Sequence, residues 1–235
     1  MKTLLGLAGC LLLAISASAQ FSYATNATGV TITAYAGGGD VHVPATIDGL
    51  PVTEIGSMVF SGEGFTNVTI PGRVAVIDDS AFYESFDLRS ITLSNGVGSL
   101  GANAFGSTLL TNVFIPASVT NIGEGIFWNC LALTNISVAP ANASFSSLEG
   151  ILFDKSMATL VQFPGGWSGA YAVPSFVSTI GKEAFGEGRI ESVMIPGTVT
   201  NVDDYAFIVS SYLTNVTVAP GVARLGMGAF QSCLA

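Results

Sequence analysis

Few residues in this chain have the types and spacing that chemistry requires. The sharpest are two adjacent carboxylate pairs, Asp78-Asp79 and Asp203-Asp204. Two carboxylates flanking a bond are what glycoside hydrolysis uses, with the pair held roughly 5 to 10 Å apart. The single histidine, His42, sits between Val41 and Val43 and has no neighbour in sequence that would hold it as a base. Two cysteines outside the N-terminal leader, Cys130 and Cys233, lie about a hundred residues apart, a spacing that matches no zinc site. The acidic pairs fit no EF-hand loop. No catalytic, cofactor-binding or metal-binding residue is assigned, and the chain is not read as an enzyme.

The elements that carry these residues explain why. A frame recurs along the chain. Leu110-Thr-Asn-Val-Phe-Ile-Pro116 leads to Val119, Ile122, Phe127 and Cys130; Ile190-Glu-Ser-Val-Met-Ile-Pro196 leads to Val199, Val202 and Phe207; Phe65-Thr-Asn-Val-Thr-Ile-Pro71 leads to Val76, Ile77 and Phe82. The phenylalanine closing each frame stands at 60, 82, 105, 127, 185, 207 and 230, in steps of 22, 23, 22, 58, 22 and 23. Within a frame, alternation of apolar and variable residues predicts a short strand with one buried face. Proline ends the strand, and the segment around the phenylalanine is expected to form a short helical or 3₁₀ turn. A single frame cannot bury its apolar face, but stacked frames share one core. The fold class is therefore a mainly β solenoid, a leucine-rich-repeat-like stack of about eight coils joined in one parallel sheet.

This frame relocates the chemistry. Asp78-Asp79 and Asp203-Asp204 fall at one turn position, about five coils apart, so turn and helix-capping roles are expected. Cys130 and Cys233 share one position four coils apart. At about 4.8 Å per coil their separation is roughly 19 Å, against about 7 Å for a disulfide, so each is read as a small buried hydrophobe. Asn67, Asn112, Asn135 and Asn215 form a column expected to hydrogen-bond to backbone.

The solenoid is assigned to residues 41–235. Residues 20–40 are expected to form a hairpin cap over its first coil, and a second hairpin, inserted near 148–164, turns at Asp154-Lys155-Ser156. Residues 1–19 read as a signal peptide: Lys2, an apolar run from Leu4 to Ile15, then Ala17-Ser18-Ala19 before Gln20. The rival is a lipobox at Leu7-Ala8-Gly9-Cys10. The last frame stops after Cys233-Leu-Ala, short of another strand, so the array is read as C-terminally incomplete. With 49% hydrophobic residues the chain is too apolar to be disordered, and a net charge of -9 opposes nucleic-acid and anionic-lipid partners. No stretch of the mature chain is long enough to span a membrane.

The frame resembles the BspA-type leucine-rich repeats, whose pattern is similar to L-T-x-V-x-I-P-x-x-V-T-x-I-G-x-x-A-F-x-x-C. Ser94-Asn95 stands where proline is usual, and Asp78 and Asp203 stand where glycine is usual. The resemblance implies a secreted or cell-surface protein with adhesion and protein binding as its roles. A protein or glycan ligand is placed on the exposed strand face, at the outward residue of each coil: His42, Thr69, Thr92, Phe114, Ser137, Ala172, Met194 and Thr217. The alternatives are a carbohydrate-active solenoid enzyme, or a spacer for a missing downstream domain.

Overall fold

The computed structural model describes residues 20–233. The leader, with its expected cleavage after Ala19 and the Cys10 alternative, lies outside them. Among the described residues the chain is a stack of β coils with no helix.

Each coil contributes a strand to each of two columns. The first comprises Val41–His42, Asn67–Ile70, Ser90–Leu93, Asn112–Ile115, Asn135–Val138, Gly169–Ala172, Ile190–Ile195 and Asn215–Val218. The second comprises Leu50–Ile55, Val76–Ile77, Ser99–Leu100, Asn121–Ile122, Thr159–Gln162, Thr179–Ile180, Asn201–Val202 and Arg224–Leu225. The first column is three parallel ladders, not the single expected sheet. Val41–His42, Asn67–Ile70 and Ser90–Leu93 form one, Asn112–Ile115 and Asn135–Val138 another, and the last three strands a third.

The third face differs from expectation. The segment around each repeat phenylalanine is a run of overlapping turns, not a helical turn. Residues two before and two after the phenylalanine adopt positive φ in all seven frames: Met58 and Gly62, Ser80 and Glu84, Asn103 and Ser107, Gly125 and Asn129, Glu183 and Glu187, Tyr205 and Val209, Gly228 and Ser232. Left-handed backbone every fourth residue is incompatible with a right-handed helix. Its consequence is an alternation of hydrogen bonds. Ala81 and Tyr83 close turns onto Asp78 and Ser80, while Ser80, Phe82 and Glu84 donate to Ala102, Ala104 and Gly106 of the next coil. Those inter-coil bonds hold non-glycine residues in a conformation they seldom adopt.

Inside, the phenylalanines stack. Phe60–Phe82, Phe82–Phe105 and Phe105–Phe127 have centroid separations of 4.7, 5.4 and 5.8 Å with near-parallel rings. A second stack runs Phe163, Phe185, Phe207, Phe230 at 4.6, 4.5 and 4.9 Å. Phe163 is thus the repeat phenylalanine of the irregular coil, 22 residues before Phe185, and the apparent step of 58 hides it. The apolar core falls into two clusters that meet at this coil.

At the N-terminal end, Phe21–Thr25 pairs antiparallel with Val30–Tyr35, and the latter runs parallel to Leu50–Ile55 with Ile32 opposite Ile55. Within the irregular coil, Phe145–Leu148, Ile151–Asp154 and Thr159–Gln162 form an antiparallel meander. Its first turn is Glu149-Gly150, both at positive φ, as a two-residue hairpin of the inverted type requires. The strand Phe145–Leu148 has no counterpart in the sequence reading. Asn142 anchors the meander. Only 1% exposed, it donates to the carbonyls of Pro116 and Val119 and accepts from the amides of Ser144 and Phe145.

Candidate functional site

The outward residues of the first column are held by strand alternation. In Asn67–Ile70, Ser90–Leu93 and Asn112–Ile115 the second and fourth residues are buried and the third is exposed. Val68 and Ile70, for example, enter the core and turn Thr69 outward. Pairing registers then align neighbouring coils. His42 lies opposite Thr69 and Thr69 opposite Thr92. Phe114 lies opposite Ser137. Ala172 lies opposite Met194, and Met194 opposite Thr217. These residues are exposed, except that Ser137 is half-buried and its hydroxyl donates to the Val113 carbonyl. The face is therefore three aligned sets. Its large apolar members are Phe114, 53% exposed, and Met194, 56% exposed.

The carboxylates stand at turns, as the sequence predicts, but cap no helix. With no helix to cap, Asp79 accepts from the Ala102 amide of the next coil at 2.7 Å. Asp204 likewise accepts from the Met227 amide at 2.9 Å, and Arg224 pairs with Asp203 and Asp204 at 2.7 and 3.0 Å. They staple successive coils. Asp78 instead faces Glu54. Burial and the Glu54 charge, with a hydrogen bond between the two carboxyls, push the Asp78 carboxyl above its ordinary range.

The cysteines are free thiols, and they are more than small hydrophobes. Cys130 donates to the Phe105 carbonyl at 3.0 Å and Cys233 to the Phe207 carbonyl at 3.1 Å. Ser85 and Ser210 make the same bond, to Phe60 and Phe185, at 2.7 and 2.8 Å. A Ser/Cys alternation at one repeat position was the available sign of a donor there. Burial pushes the Cys130 thiol up to about 11, so at neutral pH it is not a thiolate nucleophile. The asparagine column also requires correction. Asn67 donates to the side chains of Asp40 and Thr66, and Asn112 to that of Thr111. Backbone carbonyls are reached instead by the neighbouring threonines, Thr134 to Thr111 and Thr214 to Glu191. Adjacent threonine and asparagine side chains on an exposed strand end reach one another before the asparagine reaches the next coil's backbone.

Among the described residues no helix is long and apolar enough to cross a membrane.

Comparison with known proteins gives a consistent picture. The family described as BspA type leucine rich repeat region matches residues 51–167 and 171–235 in six copies. No curated protein matches the chain. The fold is similar to that of a leucine-rich repeat protein from Eubacterium ventriosum, with TM-score 0.69 and 22% identity over 87% of this chain. The chain spans 65% of that protein's length. It is also similar to a leucine rich cell surface protein from Faecalibacterium prausnitzii, with TM-score 0.60 and 22% identity, covering 91% of this chain and 79% of that one. The leucine rich repeat protein of T. pallidum shares 26% identity at TM-score 0.56, covering 92% and 87% of the two chains.

Proposed function

This chain belongs to the BspA-type leucine-rich repeat family, and we propose that it is displayed outside the cell as a protein-binding, adhesive surface with no catalysis of its own. The observation that carries this reading is the alignment of exposed side chains across coils in the first strand column. Phe114 and Met194 stand out of a face otherwise made of small and polar residues. Large apolar side chains exposed on a rigid sheet serve as anchors for a partner. The rigidity matters, since side chains held in register lose little further freedom on binding.

Support for surface display comes from the N-terminal leader pattern and from the Faecalibacterium structure, which is that of a cell surface protein. A protein partner is favoured over a glycan on this face because its exposed strand residues include no tryptophan or tyrosine on which a sugar could stack. The test is binding of the purified chain to a panel of immobilised extracellular proteins, with and without Phe114→Glu and Met194→Glu. Binding that falls at least about tenfold in the double variant supports the reading. Binding that is unchanged, or seen with no member of the panel, removes this face as the site.

A further inference from the structure

The turn face carries a cleft that the strand-face reading does not use. It has a volume of roughly 340 Å³ and is lined by Ser80, Tyr83, Asn103, Trp128, Glu183 and Ile208. Its origin lies in the repeat. The position after each core phenylalanine reads Ser61, Tyr83, Gly106, Trp128, Gly186, Ile208 and Gln231 in successive turn segments. Large side chains alternate with glycine in the middle of this column. Tyr83 lies over Gly106, where a Cβ would meet its ring carbon at 2.9 Å, and Trp128 lies over Gly186, where a Cβ would meet the indole at 3.1 Å. The two rings are close to parallel, 23° apart with centroids at 6.4 Å.

The cleft also falls where the turn ladder is interrupted. The irregular coil brings in Phe163 but has no positive-φ residue two positions either side of it. The coils of Phe127 and Phe185 therefore face one another at the surface, bridged by the ion pair of Glu124 and Lys182. Among the described residues, the amides of Gly125, Phe127 and Asn129 make no hydrogen bond to a backbone carbonyl of a following coil, whereas the equivalent amides of Asn103, Phe105 and Ser107 do. Gly125 leaves the base of the cleft open. A side chain there would strike the Glu183 carboxylate and approach Asn103 Oδ1 at 2.8 Å.

We propose that this cleft binds a neutral pyranose ring, seated on the Tyr83–Trp128 pair and hydrogen-bonded by Ser80, Asn103 and Glu183. A sugar presents an apolar face of C–H groups and an edge of hydroxyls that both donate and accept, and the cleft offers the complement of each. The aromatic pair supplies apolar ring faces. Asn103 and Ser80 can donate or accept, and Glu183 accepts. A cation would want acceptors alone around it, but here the amide of Asn103 contributes donors. Anionic sugars are disfavoured by Glu183 and by the chain's net charge of -9. The volume is at the low end of that of small-molecule sites, enough for one or two rings. This site is on another face from Phe114 and Met194 and stands or falls independently of them.

The chain has two tryptophans, so the Trp167→Phe variant leaves Trp128 as the sole indole reporter in the cleft. Its fluorescence is titrated with chitotriose, mannotriose and lactose, with 3′-sialyllactose and tetramethylammonium as the acidic and cationic comparisons. The expected result is a saturable change with at least one neutral sugar, with a dissociation constant on the order of 1 mM. Tyr83→Ala weakens it at least about fivefold. Gly125→Asn, which tolerates positive φ and fills the base of the cleft, abolishes it while Phe114→Glu leaves it intact. No response to any neutral sugar overturns the proposal, and so does a response to tetramethylammonium alone.

Discussion

Gly101 lies against Asp79 of the preceding coil so closely that a Cβ on it would strike the Asp79 backbone and come within 2.6 Å of Asp79 Oδ1. The same relation joins Gly226 to Asp204, also at 2.6 Å. Glycine at this turn position therefore makes room for the backbone of the coil before it, and the aspartate carboxylate there takes the amide of the residue after the glycine.

Gly101→Ala is expected to destabilise the chain by about 2 kcal/mol, the usual effect of forcing atoms into a filled space. Because the obstruction is backbone, Asp79→Ala does not rescue it. Chemical denaturation of the two single variants and the double variant tests this; full rescue by Asp79→Ala would mean that only the side chain collides.

Asn142→Ala leaves two buried carbonyls and two amides without their side-chain partner. The expected loss is about 3 kcal/mol, with Asn142→Asp also destabilising because it removes both donors. Urea unfolding followed by circular dichroism is the measurement. A loss below about 1 kcal/mol would show that the meander is held mainly by its apolar contacts.

Most of this architecture was readable because a repeat prints its geometry several times over. The strand alternation at Val113-Phe114-Ile115 and the stacked phenylalanines needed only the period. What the sequence did not disclose depends on pairs of coils and not on one. Asn142 looks like any loop polar residue until Pro116 and Val119 are brought over it. The partnership of Asp78 with Glu54 joins two coils whose relative register no single frame states. The tandem turns look helical in sequence because Ser80, Asn103 and Glu183 are ordinary residues in a left-handed conformation, and their side chains do not announce it. Phe163 does not stand out as a repeat phenylalanine because the inserted meander hides its place in the count.

Ser210→Ala removes a buried hydroxyl that donates to the Phe185 carbonyl, and about 1 kcal/mol of stability goes with it. Ser210→Cys and Cys130→Ser keep a donor at that position and stay within about 0.5 kcal/mol of the parent. Thermal melts under reducing conditions distinguish the cases. Equal losses in the alanine and cysteine variants would show that volume, not the donor, sets the requirement.

Burial pushes the Glu183 carboxyl above its ordinary value, against the opposing charge of Lys182 and with the added repulsion of Glu124. A carboxyl raised in the folded state stabilises that state while protonated. The contribution is present below the unfolded pKa and lost as pH rises through the folded one. Glu183→Gln is thus expected to be more stable than the parent at pH 7.5, with the gain shrinking as pH falls toward 4. Paired denaturation curves across that range test it, and a gain that grows on acidification would reverse the assignment.

The interruption between Phe127 and Phe163 has a mechanical meaning. Elsewhere each coil is tied to the next by stacked rings, strand pairs and turn-to-turn amides, so no coil can open without loosening its neighbours. At the irregular coil these ties thin out together. Two springs in series with a soft coupling yield one after the other, so stretching or hydrogen exchange should resolve two cooperative blocks, one ending near Phe127 and one beginning near Phe163.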